Sequence, residues 1–105
     1  MDIIKGTTPS FIVDFTGIDD IRLADVIGVT LTMKHHGEKS DLSTGVNIDL
    51  TNKLISYHFS QEQTFDLIVS RLVELQMDVK TSDGEVYRVA DVECDVKPTL
   101  RSGVM

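Results

Sequence analysis

The chain has a single cysteine, no apolar run long enough to cross a membrane, and a shortage of positive charge. Cys94 has no second thiol to bridge to, which excludes a disulfide framework. A spanning helix needs about 18 or more consecutive apolar residues, and the opening MDIIKGTTPS lacks even the shorter apolar core of a secretion signal. A soluble chain made in a cytoplasm is therefore expected. Ten Lys and Arg stand against seventeen Asp and Glu, a formal charge of −7 that repels phosphate backbones and anionic lipid heads alike. Neither nucleic acid nor a membrane surface is an expected partner. The glycines never fall into Gly-x-Gly-x-x-Gly or Walker spacing, so no phosphate cradle is expected and no cofactor is implied.

What is present suffices for one core. The 105 residues are 41% hydrophobic, which reads as a single domain over 1–105, with 99–105 as a tail. At this size roughly two thirds of the unfolded chain's surface can be buried, so neither metal nor disulfide is needed. Apolar residues alternate along several stretches: Phe11, Val13 and Phe15; Val29, Leu31 and Met33; Val46, Ile48 and Leu50; Ile55, Tyr57 and Phe59. Period two marks half-buried strands, and the turn residues Thr51-Asn52-Lys53 between the last two sets predict a hairpin.

The longest alternation is carboxy-terminal. Val73, Leu75, Met77 and Val79 precede Ser82-Asp83-Gly84, after which Val86, Ala90, Val92, Cys94 and Val96 share a phase that Arg88 interrupts. Putting both apolar sets on one face requires Thr81 opposite Val86, Met77 opposite Ala90 and Val73 opposite Cys94. Without a bulge, the connecting loop then holds an even number of residues, either Asp83-Gly84 alone or four.

Between the strands, Ser60 followed by Gln63 has the spacing of a capping box and predicts a short helix near 61–69, with Phe65 and Ile68 plugging one end of the fold. Candidate chemistry is sparse. His35 and His36 are neighbours, and neighbours on a strand point to opposite faces, so they do not chelate one ion and read as a solvated strand end. His58 lies on the polar phase with nothing close in sequence to orient its ring. Cys94 lies on the apolar phase beside Glu93 and Asp95, a setting that raises a thiol's pKa and makes it inert. Asp19, Asp20 and Asp25 form a polar loop without the ligand ladder of a calcium loop. No catalytic residue and no metal ligand emerges.

One cluster remains. In the register above, Glu74, Asp78, Asp91, Glu93 and Asp95 share the face away from the core, with Glu93 opposite Glu74, and like charges across a strand pair cost about 0.2–1 kcal/mol. A solvated face is the plain reading of this stripe; a surface for a basic partner is the functional one.

Three stretches resemble a known family. IIKGTTPSFIVDFTGID has a Lys-Gly-x-Thr-Pro turn leading into a strand and a Thr-Gly-Ile loop, LISYHFSQEQTFDL has a strand followed by a Ser-Gln-Glu-x-Thr turn, and VELQMDVKTSDGEVYRVADVECDV has a closing hairpin with an Asp-Gly turn. These are similar to small bacteriophage and prophage proteins of Gram-positive bacteria, related to the amino-terminal domain of baseplate upper proteins. The resemblance implies an all-β, immunoglobulin-like sandwich of about seven strands with one short helix. It further implies a non-enzymatic virion structural or assembly module of tail, baseplate or capsid, whose partners are other phage structural proteins or further copies of itself. Its location would be the virion, or the host cytoplasm during assembly. A small calcium- or carbohydrate-binding module and an accessory domain of a separate enzyme chain are the alternatives.

Overall fold

A computed structural model describes residues 1–18 and 20–101. Eight strands, β1 (Asp2–Ile4), β2 (Ser10–Asp14), β3 (Val26–His35), β4 (Glu38–Asp41), β5 (Val46–Asp49), β6 (Leu54–His58), β7 (Val73–Thr81) and β8 (Val86–Lys97), accompany one helix, α1 (Gln61–Phe65). They form two sheets, in the orders β1-β8-β7-β3-β4 and β2-β6-β5. Lettered along the chain these are A-G-F-C-C′ and B-E-D, the strand order of an immunoglobulin-like sandwich with the first strand moved beside the last. Such a domain in antibodies pins B to F with a disulfide. Here Phe11 and Val13 on β2 and Leu75 and Met77 on β7 occupy the interior instead.

The expected alternation holds along β2, β3, β6 and β7. Phe11, Val13, Leu31, Ile55, Tyr57, Val73, Leu75, Met77 and Val79 are all buried in one cluster with Ile3, Cys94 and Val96. Cys94 is fully enclosed, and burial pushes its thiol pKa up. The β5–β6 hairpin forms where expected, its turn closed by the Asp49 carboxylate accepting from the Asn52 backbone and amide groups. Leu50 lies in that turn and is exposed.

The closing hairpin departs from the expected register. Val73↔Cys94, Glu74↔Glu93 and Met77↔Ala90 are paired as anticipated, but Asp78↔Arg88, Val79↔Tyr87 and Lys80↔Val86 follow a one-residue shift. Thr81 N–H donates to Glu85 at 3.0 Å, so the loop is Ser82-Asp83-Gly84, an odd number of residues, with Gly84 at φ +87°. That is the three-residue hairpin whose third position is left-handed and therefore suits glycine. An odd loop would put the wrong face of β8 on the core. Val89, left without a partner as a β-bulge, restores the phase. Val86 is consequently exposed, Tyr87 packs inward beside Val79, and Arg88 turns to the solvent face.

The helix is also shorter than expected, ending at Phe65 rather than continuing to 69. Its capping box is complete: Gln63 N–H donates to Ser60 Oγ, and Ser60 N–H donates to Gln63 Oε1 at 2.8 Å. The plug differs from the one anticipated. Thr64 and Leu67 are buried, Phe65 is half-buried and Ile68 is exposed, because the helix stops at Phe65 and the turn beyond its cap, Asp66, carries Ile68 outward.

Urea unfolding should therefore rank Leu67→Ala, at about 2–5 kcal/mol, above Phe65→Ala. Ser60→Ala should cost about 0.5–2 kcal/mol through the lost cap. A larger loss for Phe65→Ala than for Leu67→Ala would show that the ring, and not Leu67, closes this end.

Candidate interaction face

The outer face of the five-stranded sheet collects the charged residues, and the register explains how. Outward positions alternate with the buried ones: Thr30, Thr32 and Lys34 on β3, Glu74, Gln76 and Asp78 on β7, and Arg88, Asp91, Glu93 and Asp95 on β8. Each expected member of the acidic stripe lies on this face. Glu74 and Glu93 are directly opposed, while Asp95 lies at the far end, paired in register with Asp2 of β1.

Sequence reading had not placed the cations. Lys34 lies opposite Glu74 on one side and Lys39 on the other. The β8 bulge brings Arg88 across from Asp78, where its Nε donates to the carboxylate at 3.0 Å and the bond holds the guanidinium firmly protonated. Gln76 Nε2 bridges two acids, donating to Glu74 at 3.1 Å and Asp91 at 3.3 Å. Thr32, Lys34, Lys39, Glu74, Gln76, Asp78 and Arg88 line a hollow of about 430 Å³. The face is thus a mixed-charge surface, not a purely acidic one. The misplaced phase of Arg88 was the signal in the sequence that could have revealed it.

The other candidates lie apart from this face. His58 has an orienting partner after all, Ser10 across the β2–β6 pair, with Oγ 2.9 Å from Nδ1 at an exposed position. His35 spans the crossover after α1: its Nε2 accepts from Ile68 N–H at 2.9 Å, which leaves Nδ1–H to donate to the Leu72 carbonyl at 3.1 Å. His36 occupies the turn to β4 at φ +51°. Asp19 lies outside the described residues; Asp20 is exposed and Asp25 pairs with Arg22 at 3.8 Å. Among the described residues no group of three or more His, Cys, Asp or Glu is placed to hold a metal, and no helix is long and apolar enough to cross a membrane.

Several aspartates act as turn clamps. Asp41 is held below the usual carboxylate range by the Ser43 hydroxyl and amide, Asp83 by the Thr81 hydroxyl and the Glu85 amide, Asp49 by Asn52, and Asp14 by the Thr16 amide.

Two outcomes follow from this electrostatic layout. Glu93→Gln should raise the free energy of unfolding in urea by about 0.2–1 kcal/mol, since it removes the clash with Glu74, whereas Glu74→Gln should gain less because it also gives up its place opposite Lys34. Moderate salt should shrink both effects, and equal gains would mean that Lys34 does not engage Glu74. The clamps set the acid limb. A depressed folded pKa contributes stability above the unfolded aspartate value of about 3.9, lost as pH falls through the folded value. The midpoint should therefore decline below about pH 4, less steeply in an Asp41→Asn, Asp83→Asn double variant; an unchanged acid limb would remove the clamps from the account.

No protein-family model matches the chain, and no curated protein matches it either.

Proposed function

We propose that the chain is a non-catalytic structural or assembly module of a bacteriophage or prophage particle, working through protein contacts on the exposed sheet of its sandwich. What supports the reading is that two of the three stretches carrying the family resemblance, far apart in sequence, touch each other in the fold. Gly6 N–H of the Lys-Gly-x-Thr-Pro turn donates to Thr64 Oγ1 at 2.9 Å, and Thr64 Oγ1 donates to the Thr7 carbonyl at 2.8 Å. Thr64 is the last residue of the Ser-Gln-Glu-x-Thr turn and is fully buried. Gly6 sits at φ +78°, and a Cβ there would fall 2.6 Å from the Phe65 ring, so the turn admits glycine and little else. The two short turn motifs are thereby coupled constraints on one joint.

The mixed-charge face suits such a role. Surfaces of interspersed sign give register and partner choice more than raw affinity, which is what a component added in a fixed order to a repeating particle needs.

The test is location. Particles induced from a Gram-positive host carrying the gene, purified on a density gradient and examined by mass spectrometry, should contain the chain at a fixed ratio to the major structural proteins. Recovery of the chain only in the unassembled fraction, with particles lacking it, would overturn the reading.

A further inference from the structure

Strand β4 forms one border of the five-stranded sheet, paired on one side with β3 and on the other, among the described residues, with no strand. All of its residues are exposed. The turn residues His36 and Gly37 both have positive φ, so β3 and β4 meet in a two-residue hairpin that makes Glu38 and His35 a hydrogen-bonded pair. Pairing alternates along the ladder, and Leu42 N–H donating to Leu31 at 2.8 Å fixes the same parity at the other end. The backbone groups of Lys39 and Asp41 therefore point away from β3, at the open edge.

An open edge is a template for another strand, and lysine on such an edge normally discourages pairing. Here the charges discriminate among partners instead. Lys39 has a like charge as its neighbour within the sheet, Lys34, which itself faces Glu74. Two residues on, Asp41 is kept ionised by Ser43, whose amide donates to its Oδ1 at 2.9 Å. The edge thus presents a cation and an anion at consecutive outward positions, one on either side of Ser40.

We infer that β4 pairs antiparallel with β4 of a second copy of the chain, about a twofold axis at Ser40. That axis sets Lys39 opposite Asp41 of the second copy and Asp41 opposite its Lys39. Both are hydrogen-bonded positions, so the same alignment that joins the edge amides and carbonyls also brings opposite charges together. A twofold contact needs a self-complementary patch, and Lys-Ser-Asp read in the two directions is one. Lys39 gains the carboxylate its own sheet does not give it. The result is a continuous sheet across two copies, with both mixed-charge hollows on the same outer side. The other open borders offer less: β1 is three residues long, and the outward-facing positions of β2, namely Ser10, Ile12 and Asp14, and of β5, namely Asn47 and Asp49, carry no opposite charges to match. With few backbone bonds the pairing is weak in isolation, at the low end of interface sizes, and repetition in an assembly would reinforce it.

The experiment is a charge swap read by sedimentation velocity up to millimolar protein, with circular dichroism confirming that each variant stays folded. The parent chain should shift from monomer to dimer as concentration rises. Lys39→Asp alone and Asp41→Lys alone should each stay monomeric, the two mixed should form a heterodimer, and the double variant Lys39→Asp, Asp41→Lys should dimerise again. A parent that is monomeric throughout the range would overturn the inference, and so would a dimer that is indifferent to the single changes, since that would place the contact on another edge. The pairing does not rest on the particle reading: a chain missing from particles that still dimerises through β4 would separate the two.

Discussion

Strand β7 is enclosed on its inner face by four fully or almost fully buried side chains, Val73, Leu75, Met77 and Val79, and flanked on both sides by long partners. A strand in that position cannot slip by one residue, because the slip would exchange its core for Glu74, Gln76, Asp78 and Lys80. Its neighbours must adapt instead. On one side the three-residue loop to β8 has the wrong parity, and the bulge at Val89 absorbs it; on the other, a shift between Val26 and Gly28 of β3 leaves Ile27 in an irregular, exposed position. The position of Arg88 opposite Asp78 is a consequence of that adaptation, and Lys34 opposite Glu74 follows from the unbroken β3–β7 register, so the charge pattern of the outer face is written by the packing of the inner one.

The second dependency is the crossover from the small sheet to the large one. A helix of five residues is far too short to persist through its own hydrogen bonds. It is held from three sides: Ser60 and Gln63 close its start, the Thr64 hydroxyl ties it to the amino-terminal turn, and His35 at the end of β3 grips the backbone of Ile68 and Leu72 beyond it. Arg101 adds a fourth, lying over the Phe65 ring at 5.4 Å and donating to the Gly6 carbonyl. The amino-terminal turn, Arg101 and the crossover thus meet at one joint, and Thr64, fully buried and bonded in both directions, is its centre.

Much of this was legible in the sequence wherever burial alone dictates the pattern. Strands β2, β3, β5, β6, β7 and β8 announce themselves by period two, and Ser60 and Gln63 mark the helix start by side-chain chemistry that needs no tertiary context. Strand β4 was invisible because Glu-Lys-Ser-Asp contains no apolar residue; it is a strand only because the His36-Gly37 turn folds it against β3. Strand β1 was too short to show a period. The helix was overextended because Leu67, Ile68 and Val69 continue an apolar run, yet only Leu67 finds the core. The bulge was hidden because loop parity depends on the turn's conformation, which Ser-Asp-Gly permits in more than one form. The site fared similarly: the acidic residues fall where alternation puts them, but a face is made by neighbouring strands, and the cations that change its character arrive from β3, β4 and the far side of a bulge.

The two surfaces singled out belong to one electrostatic argument. Along the row next to the His35–Val73 end of the sheet, Glu93, Glu74, Lys34 and Lys39 follow one another, so within this row charge is separated, negative toward β8 and positive toward β4. A lone copy, with a formal charge of −7, presents Lys39 at this border beside the carboxylate of Asp41 two residues on. Joining two copies at that border places a carboxylate beside each Lys39 and keeps the acidic β8 sides farthest apart, the arrangement in which the excess negative charge opposes association least. It also leaves the Glu74, Asp91, Glu93 and Asp95 region of each copy facing solvent. A basic neighbour could then be met by two such regions at once, one on each side of the twofold axis, without either contact competing with the other.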